Sequence, residues 1–160
     1  PPIPDFCGMF LIILISNLII AFNAFAIQGT DHKFGAGVMI GSATGFNFKH
    51  WFKEKEALDF YLSFSKNKVE IHSDYLRHKK KYIRIGKEEL SLHYGAGLKI
   101  LNKDNGKDQI GIRIPVGVDY FFKDFSNIPV DIFLELAPVL NFVTETDLDI
   151  NGYLGVRYYF

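Results

Sequence analysis

Between residues 27 and 160 there is no cysteine, because the chain's one thiol, Cys7, lies ahead of that span. No disulfide can therefore form within it. Pro4, Asp5 and Phe6 before Cys7 do not read as a lipoprotein cleavage box. Excess charge of either sign is missing too, since 18 Lys and Arg balance 18 Asp and Glu. That excludes the basic footprint of a nucleic-acid-binding domain, and no nucleic-acid partner is expected. The five histidines at 32, 50, 72, 78 and 93 contain no HExxH spacing, and no glycine-rich phosphate loop leads from a strand into a helix. Neither a zinc-protease centre nor nucleotide binding is indicated, and no cofactor or catalytic residue is assigned. The apolar run near the amino terminus is shorter than the roughly 20 residues a membrane-crossing helix needs.

What is present is aromatic and β-forming. Of 160 residues, 48% are hydrophobic and 16% aromatic, with 16 phenylalanines. That length supports one domain. Helix-favouring runs are scarce after residue 30, while β-branched, aromatic and glycine residues dominate, so the fold class is all-β.

Residues 9–26 (MFLIILISNLIIAFNAFA) form an apolar core ending in Ala24-Phe25-Ala26. A small-x-small ending of this kind is cut by signal peptidase. The expected organisation is an upstream extension at 1–8, a signal peptide at 9–26 exported through the Sec route, and one domain at 27–160. All eighteen bases and seventeen of the eighteen acids lie in 27–160, so that span carries a net charge of +1.

The carboxy-terminal stretch 148–160 (LDINGYLGVRYYF) alternates most clearly. Leu148, Ile150, Leu154, Val156, Tyr158 and Phe160 share one face; Asp149, Asn151, Tyr153, Arg157 and Tyr159 share the other, as period-two geometry requires. In a water-soluble sheet the polar face meets solvent; in a membrane barrel the apolar face meets lipid and the polar face points inward. Seven further strand-like segments precede it, at about 33–41, 45–52, 57–65, 69–78, 90–101, 109–122 and 130–142. NKDNGK at 102–107 is the strongest hairpin signal, and the basic stretch 79–89 (KKKYIRIGKEE) reads as the longest connection. Pro115 and Pro138 fall inside strands, where each removes a ladder hydrogen bond and suggests a local bulge.

Eight strands of this length joined up-and-down predict an eight-stranded antiparallel transmembrane β-barrel, a bilayer-crossing strand needing roughly 9–11 residues. Threading it this way gathers Phe34, Phe52, Tyr120, Phe122, Tyr158 and Phe160 at one rim and Phe46, Phe64 and Phe142 at the other, as aromatic girdles would be. The terminal phenylalanine, with Val156 and Tyr158 before it, resembles the strand by which the barrel-assembly machinery recognises outer-membrane barrels.

Several phrases carry a family resemblance: GAGVMIG at 35–41, ALD at 57–59, YGAG at 94–97, GIRIPVG at 111–117, DIFLELAP at 131–138 and GVRYYF at 155–160. Together they resemble a small family of eight-stranded outer-membrane β-barrels of unknown function from spirochaetes and other Gram-negative-type bacteria. The resemblance spans essentially residues 32–160. It implies an outer-membrane barrel, with outer-membrane lipid and the assembly machinery as partners, and carries over no catalytic residue.

The polar set expected inside comprises Lys49, Asp59, Glu70, Asp74, His93, Lys99, Arg113, Asp119, Asp131, Glu135, Asp149 and Arg157, with Arg113, Glu135 and Arg157 at its centre. An eight-stranded barrel is just wide enough to be filled by its own side chains, and buried charges need partners. A plugged polar interior with a structural or surface-interaction role follows, a narrow conduit being the sharper version. Three other classes stay open. A surface receptor or adhesin would bind a host or periplasmic protein. A lipid A-modifying enzyme would use Ser91 and His93 with Glu88, Glu89 or Glu135 as the orienting acid. A secreted soluble barrel would hold a ligand. His72 and His78 with Asp74 form at most a weak metal set.

Overall fold

The computed structural model describes residues 33–103, 108–122, 129–143 and 146–160. The expected extension, export segment and hairpin tip at 104–107 lie outside the described residues. Lys33–Tyr159 forms one compact unit. It is all-β: nine antiparallel strands in one sheet, with no helix among the described residues. The strands are β1 (Phe34–Gly41), β2 (Thr44–Lys53), β3 (Glu56–Ser65), β4 (Lys68–Ile85), β5 (Glu88–Lys103), β6 (Gln109–Arg113), β7 (Val116–Phe121), β8 (Val130–Asn141) and β9 (Asp147–Tyr159).

Consecutive strands pair from β1 to β5. β5 pairs with both β6 and β7, which both pair with β8, and β8 pairs with β9. β9 in turn pairs with β1, Gly35 opposite Tyr159 through Gly41 opposite Tyr153. Two-residue turns hold the register where their chemistry allows. Lys66–Asn67 joins Ser65 to Lys68 with Asn67 at φ 61°, and Gly86 sits at φ 65° in the turn between Ile85 and Glu88. Both residue types accept the left-handed region readily.

Two expectations need correcting. The strand expected over 109–122 is two strands, interrupted at Ile114 and Pro115, with no bulge. Arg113 faces Val139 and Val116 faces Leu136, so the register with β8 is continuous across the gap. The cause is two missing donors. Ile114 N donates to Pro138 O (3.0 Å) and Gly95 N to Pro115 O (2.9 Å), but neither proline has the N–H for the return bond. Secondly, 79–89 is not a loop. β4 and β5 run through it as one long hairpin, paired up to Ile85 opposite Glu88.

The faces are inverted relative to a water-soluble sheet. On β8 the side chains alternate residue by residue: Leu134 and Leu136 are 52% and 58% exposed, while Asp131 and Glu135 are fully buried. The buried apolar group around Met39, Tyr61, Phe133 and Tyr153 is small, and among the described residues eighteen polar or charged side chains are buried as well.

A buried ion network as the candidate functional site

Each charged member of this network is placed by strand parity, then brought to its partners by strand order. Two guanidinium nodes anchor it. Arg157, on β9, lies opposite Asp131 of β8 and holds it through Nε to Oδ1 (2.9 Å) and Nη2 to Oδ2 (3.0 Å). Its Nη1 reaches Asp59 Oδ2 of β3 at 2.9 Å and Asn47 Oδ1 at 3.3 Å, and its Nη2 reaches Asp119 Oδ1 of β7 at 2.6 Å. The Phe133 ring lies 4.0 Å beneath the guanidinium, and Tyr159 donates its hydroxyl to Asp131 at 2.7 Å. The second node is Arg113, which meets Asp74 Oδ1 through Nε (3.1 Å) and Glu135 Oε1 through Nη2 (2.5 Å). Its guanidinium carbon is 5.6 Å from the ring of Tyr61 and 5.6 Å from that of Tyr153, two rings that pack beside each other.

His93 and Tyr61 join the nodes. His93 Nδ1 faces Asp119 Oδ2 at 2.6 Å and Nε2 faces Glu135 Oε2 at 3.3 Å. Carboxylates against both ring nitrogens call for the imidazolium, the form that donates from both. The Tyr61 hydroxyl sits between Asp59 Oδ2 (3.1 Å) and Glu135 Oε2 (3.2 Å). Lys49 donates to His78 Nε2 at 2.9 Å and lies 3.8 Å from Asp59 and Asp119. Glu70 anchors a satellite group nearer the opposite end, with Lys99 Nζ at 3.2 Å, His72 Nδ1 at 3.2 Å and the Tyr153 hydroxyl at 2.8 Å.

The structure therefore gathers Arg113, Glu135, Arg157, Asp119 and His93 into one connected set and puts Lys99 on Glu70. Asp149 stands apart and is exposed. Its parity points inward, but β1 ends at Gly41 opposite Tyr153, so Asp149 projects beyond the last β1 residue. There it helps line an open cavity of about 350 Å³ with Ser63, Glu70, Lys99 and Asn151. Sequence reasoning did not assign Asn47, Tyr61, His78, Tyr153 or Tyr159 to the network. All share parity with an assigned neighbour, and that was the available signal.

What this arrangement does chemically is hold charge still. Among the buried side chains of the described residues, six carboxylates (Asp59, Glu70, Asp74, Asp119, Asp131, Glu135) meet four fixed cations, with His93 as a fifth. Ser91 is buried opposite Asp119, but both His93 nitrogens already face carboxylates, which leaves no imidazole nitrogen to take its proton. Ser91→Ala is accordingly expected to leave both folding and the lipid A acylation pattern unchanged, read by mass spectrometry of extracted lipid A. The orienting acids expected for His93 included Glu88 and Glu89. Instead Glu88 accepts from Tyr120 at 2.6 Å and Glu89 pairs with Arg84 at 3.0 Å. His72 and His78 fall into separate clusters, His72 with Asp74 and Glu135, His78 with His93 and Asp119. Arg113 occupies the carboxylates of the first cluster; Lys49 and Arg157 face the second.

No protein-family model, curated protein or solved structure matches this chain.

Proposed function

We propose that this chain is an exported outer-membrane β-barrel of eight effective strands, β6 and β7 acting as one, with a plugged polar interior. Its role is structural or that of a surface for interaction, without catalysis. The observation that carries this reading is the inversion of the faces. Val38, Ile40, Leu98, Ile100, Leu154 and many other large apolar side chains are exposed, while Arg113 and Arg157 are fully buried. Monomeric soluble proteins rarely expose contiguous apolar patches beyond a few hundred Å². In a bilayer that same face costs nothing, and the ion network becomes the filling an eight-stranded barrel needs.

Other observations support it. Among the described residues every strand has a partner on both sides, β9 returning to β1, so the one long unpaired edge is the end of β4 beyond His78. Exposed Phe34, Phe52 and Tyr158 lie at one end of the strands, and exposed Phe46, Phe64 and Phe142 at the other. Val156 and Tyr158 face outward on β9, available to an assembly machinery. The phrases resembling the spirochaete-type barrel family point the same way.

The test is gel mobility of the protein from a purified outer-membrane fraction, boiled against unboiled in SDS. Folded membrane barrels resist SDS until heated, so a faster-migrating unboiled band is expected. A protein recovered without detergent in the soluble fraction, with no shift, overturns the reading in favour of a soluble barrel.

A further inference from the structure

The β4–β5 hairpin outlasts its neighbours. β3 begins at Glu56, opposite Arg77, and the last amide tied across that edge is His78 N, which donates to Lys55 O at 2.8 Å. From Lys79 to Ile85, β4 has no strand on that side among the described residues. The overhang lies at the end of the sheet where β1 starts and β9 finishes.

Its charge is unbalanced. Residues 79–89 hold five bases (Lys79, Lys80, Lys81, Arg84, Lys87) against two acids. Glu89 is shared by Lys81 and Arg84, each at 3.0 Å, and Glu88 already accepts from Tyr120. Lys80 lies 3.6 Å from Glu54. The outward side is also apolar: Tyr82 and Ile85 are 60% and 63% exposed, and Lys79 Nζ sits 5.2 Å over the Tyr82 ring and 5.9 Å over Tyr94. Tyr94 belongs to the exposed face of β5 with Leu98 and Ile100, so the hairpin prolongs the surface proposed to meet lipid.

The backbone discriminates between occupants. The register slips between Lys79 and Ile83, and Lys81 takes φ 55°. A bulge lined with lysines blunts an edge against an added strand, which disfavours a protein partner docking by strand addition. Lysine and tyrosine on an apolar base match a bilayer interface instead. The geometry suits it: strands of a small barrel tilt by roughly 35–45°, so the overhang leans along the rim instead of dropping straight from it. The interfacial layer it enters is about 5–8 Å deep on each side.

We infer that the outward face of this hairpin, Lys79 to Tyr82 above all, seats on anionic phospholipid headgroups of the leaflet at that rim. This rests on the membrane-barrel reading. Each Lys or Arg at an anionic surface favours the seated form by roughly fivefold, so three together contribute about a hundredfold.

The experiment uses the full chain carrying Cys7→Ser and Tyr82→Cys, labelled at position 82 with an environment-sensitive dye and folded into vesicles. One set is pure phosphatidylcholine; the other holds about 30% phosphatidylglycerol, enough to give the negative surface potential that attracts basic segments. Blue-shifted emission, quenched by a headgroup-attached nitroxide in the anionic vesicles, is expected. It should be lost in high salt and when Lys79, Lys80 and Lys87 are all changed to Gln. Equal emission in both vesicle types overturns the inference, as does binding of the hairpin to peptidoglycan with no lipid dependence. The heat-dependent gel shift of the same sample reports on the barrel separately: a shift with no lipid response sinks only the hairpin proposal, whereas no shift sinks the barrel reading beneath it.

Discussion

Arg157→Met is expected to abolish the SDS-resistant folded form, or to lower stability by at least about 3–5 kcal/mol where folding survives, the range for removing one partner of a buried ion pair. The reason is the number of groups left behind. Asp131, Asp59 and Asp119 all lose a guanidinium contact of 3.0 Å or less. Lys49, 3.8 Å from Asp59 and Asp119, and His93, 2.6 Å from Asp119, remain to offset two of them, and neither lies on Asp131. Methionine fills much of the volume and keeps a contact with the Phe133 ring, so the loss reports on charge more than on a cavity. Total stabilities of roughly 5–15 kcal/mol leave little margin for that loss. Urea titration in detergent micelles, paired with the boiled and unboiled gel, makes the measurement. Adding Asp131→Leu to the same chain should recover some of the loss, since it removes one of the stranded carboxylates, and the double-mutant cycle isolates that pair. A titration midpoint unchanged by Arg157→Met would show that the guanidinium is not the anchor described above.

Gly155→Val should be the second large effect, for a steric reason. Gly155 lies opposite Phe133, whose ring occupies the space above it: a Cβ there would fall well inside van der Waals contact with the ring carbons. The ring itself supports Arg157. A valine therefore pushes Phe133 off its seat and moves the guanidinium from Asp131. Overpacking a filled site typically costs about 1–3 kcal/mol, and coupling to the ion network should place this substitution at the upper end. Gly155→Ala is expected to be milder but measurable. The same titration checks both, and a valine variant as stable as the parent would mean that the ring has room to move. Tyr159 covers Gly35 in the same way, ring over glycine across a strand pair.

Much of the fold could be read from alternation. The period-two pattern in 130–142 and 148–160 assigns each side chain to a face without knowledge of neighbours, and parity correctly buries Arg113, Asp119, Glu135 and Arg157. The turn at Lys66–Asn67 follows from local chemistry, because asparagine accepts positive φ. The inversion of polarity was also within reach: a greasy face made of every second residue, repeated over long strands, is a statement about solvent as much as about shape.

Other features depended on contacts between distant segments. The run KKKYIRIGKEE looks solvated because its charges outnumber its apolar residues, yet it is strand, since Lys79 finds Leu92 and Ile83 finds Leu90 on β5. Asp149 has the parity of an inward residue and is exposed because β1 stops short of it. Pro115 announces a lost hydrogen bond, but that the chain stays in register without a bulge is seen only in its pairing with β8 on either side of the gap.

Which face a side chain takes is thus local, because it depends only on backbone geometry and the residue's own polarity. Which partner it meets is not. Arg157 reaches Asp59 across 98 residues and Asn47 across 110, pairings set by the order of strands and their stagger. The charges were written into the chain one at a time; the network they form came from β9 returning to pair with β1.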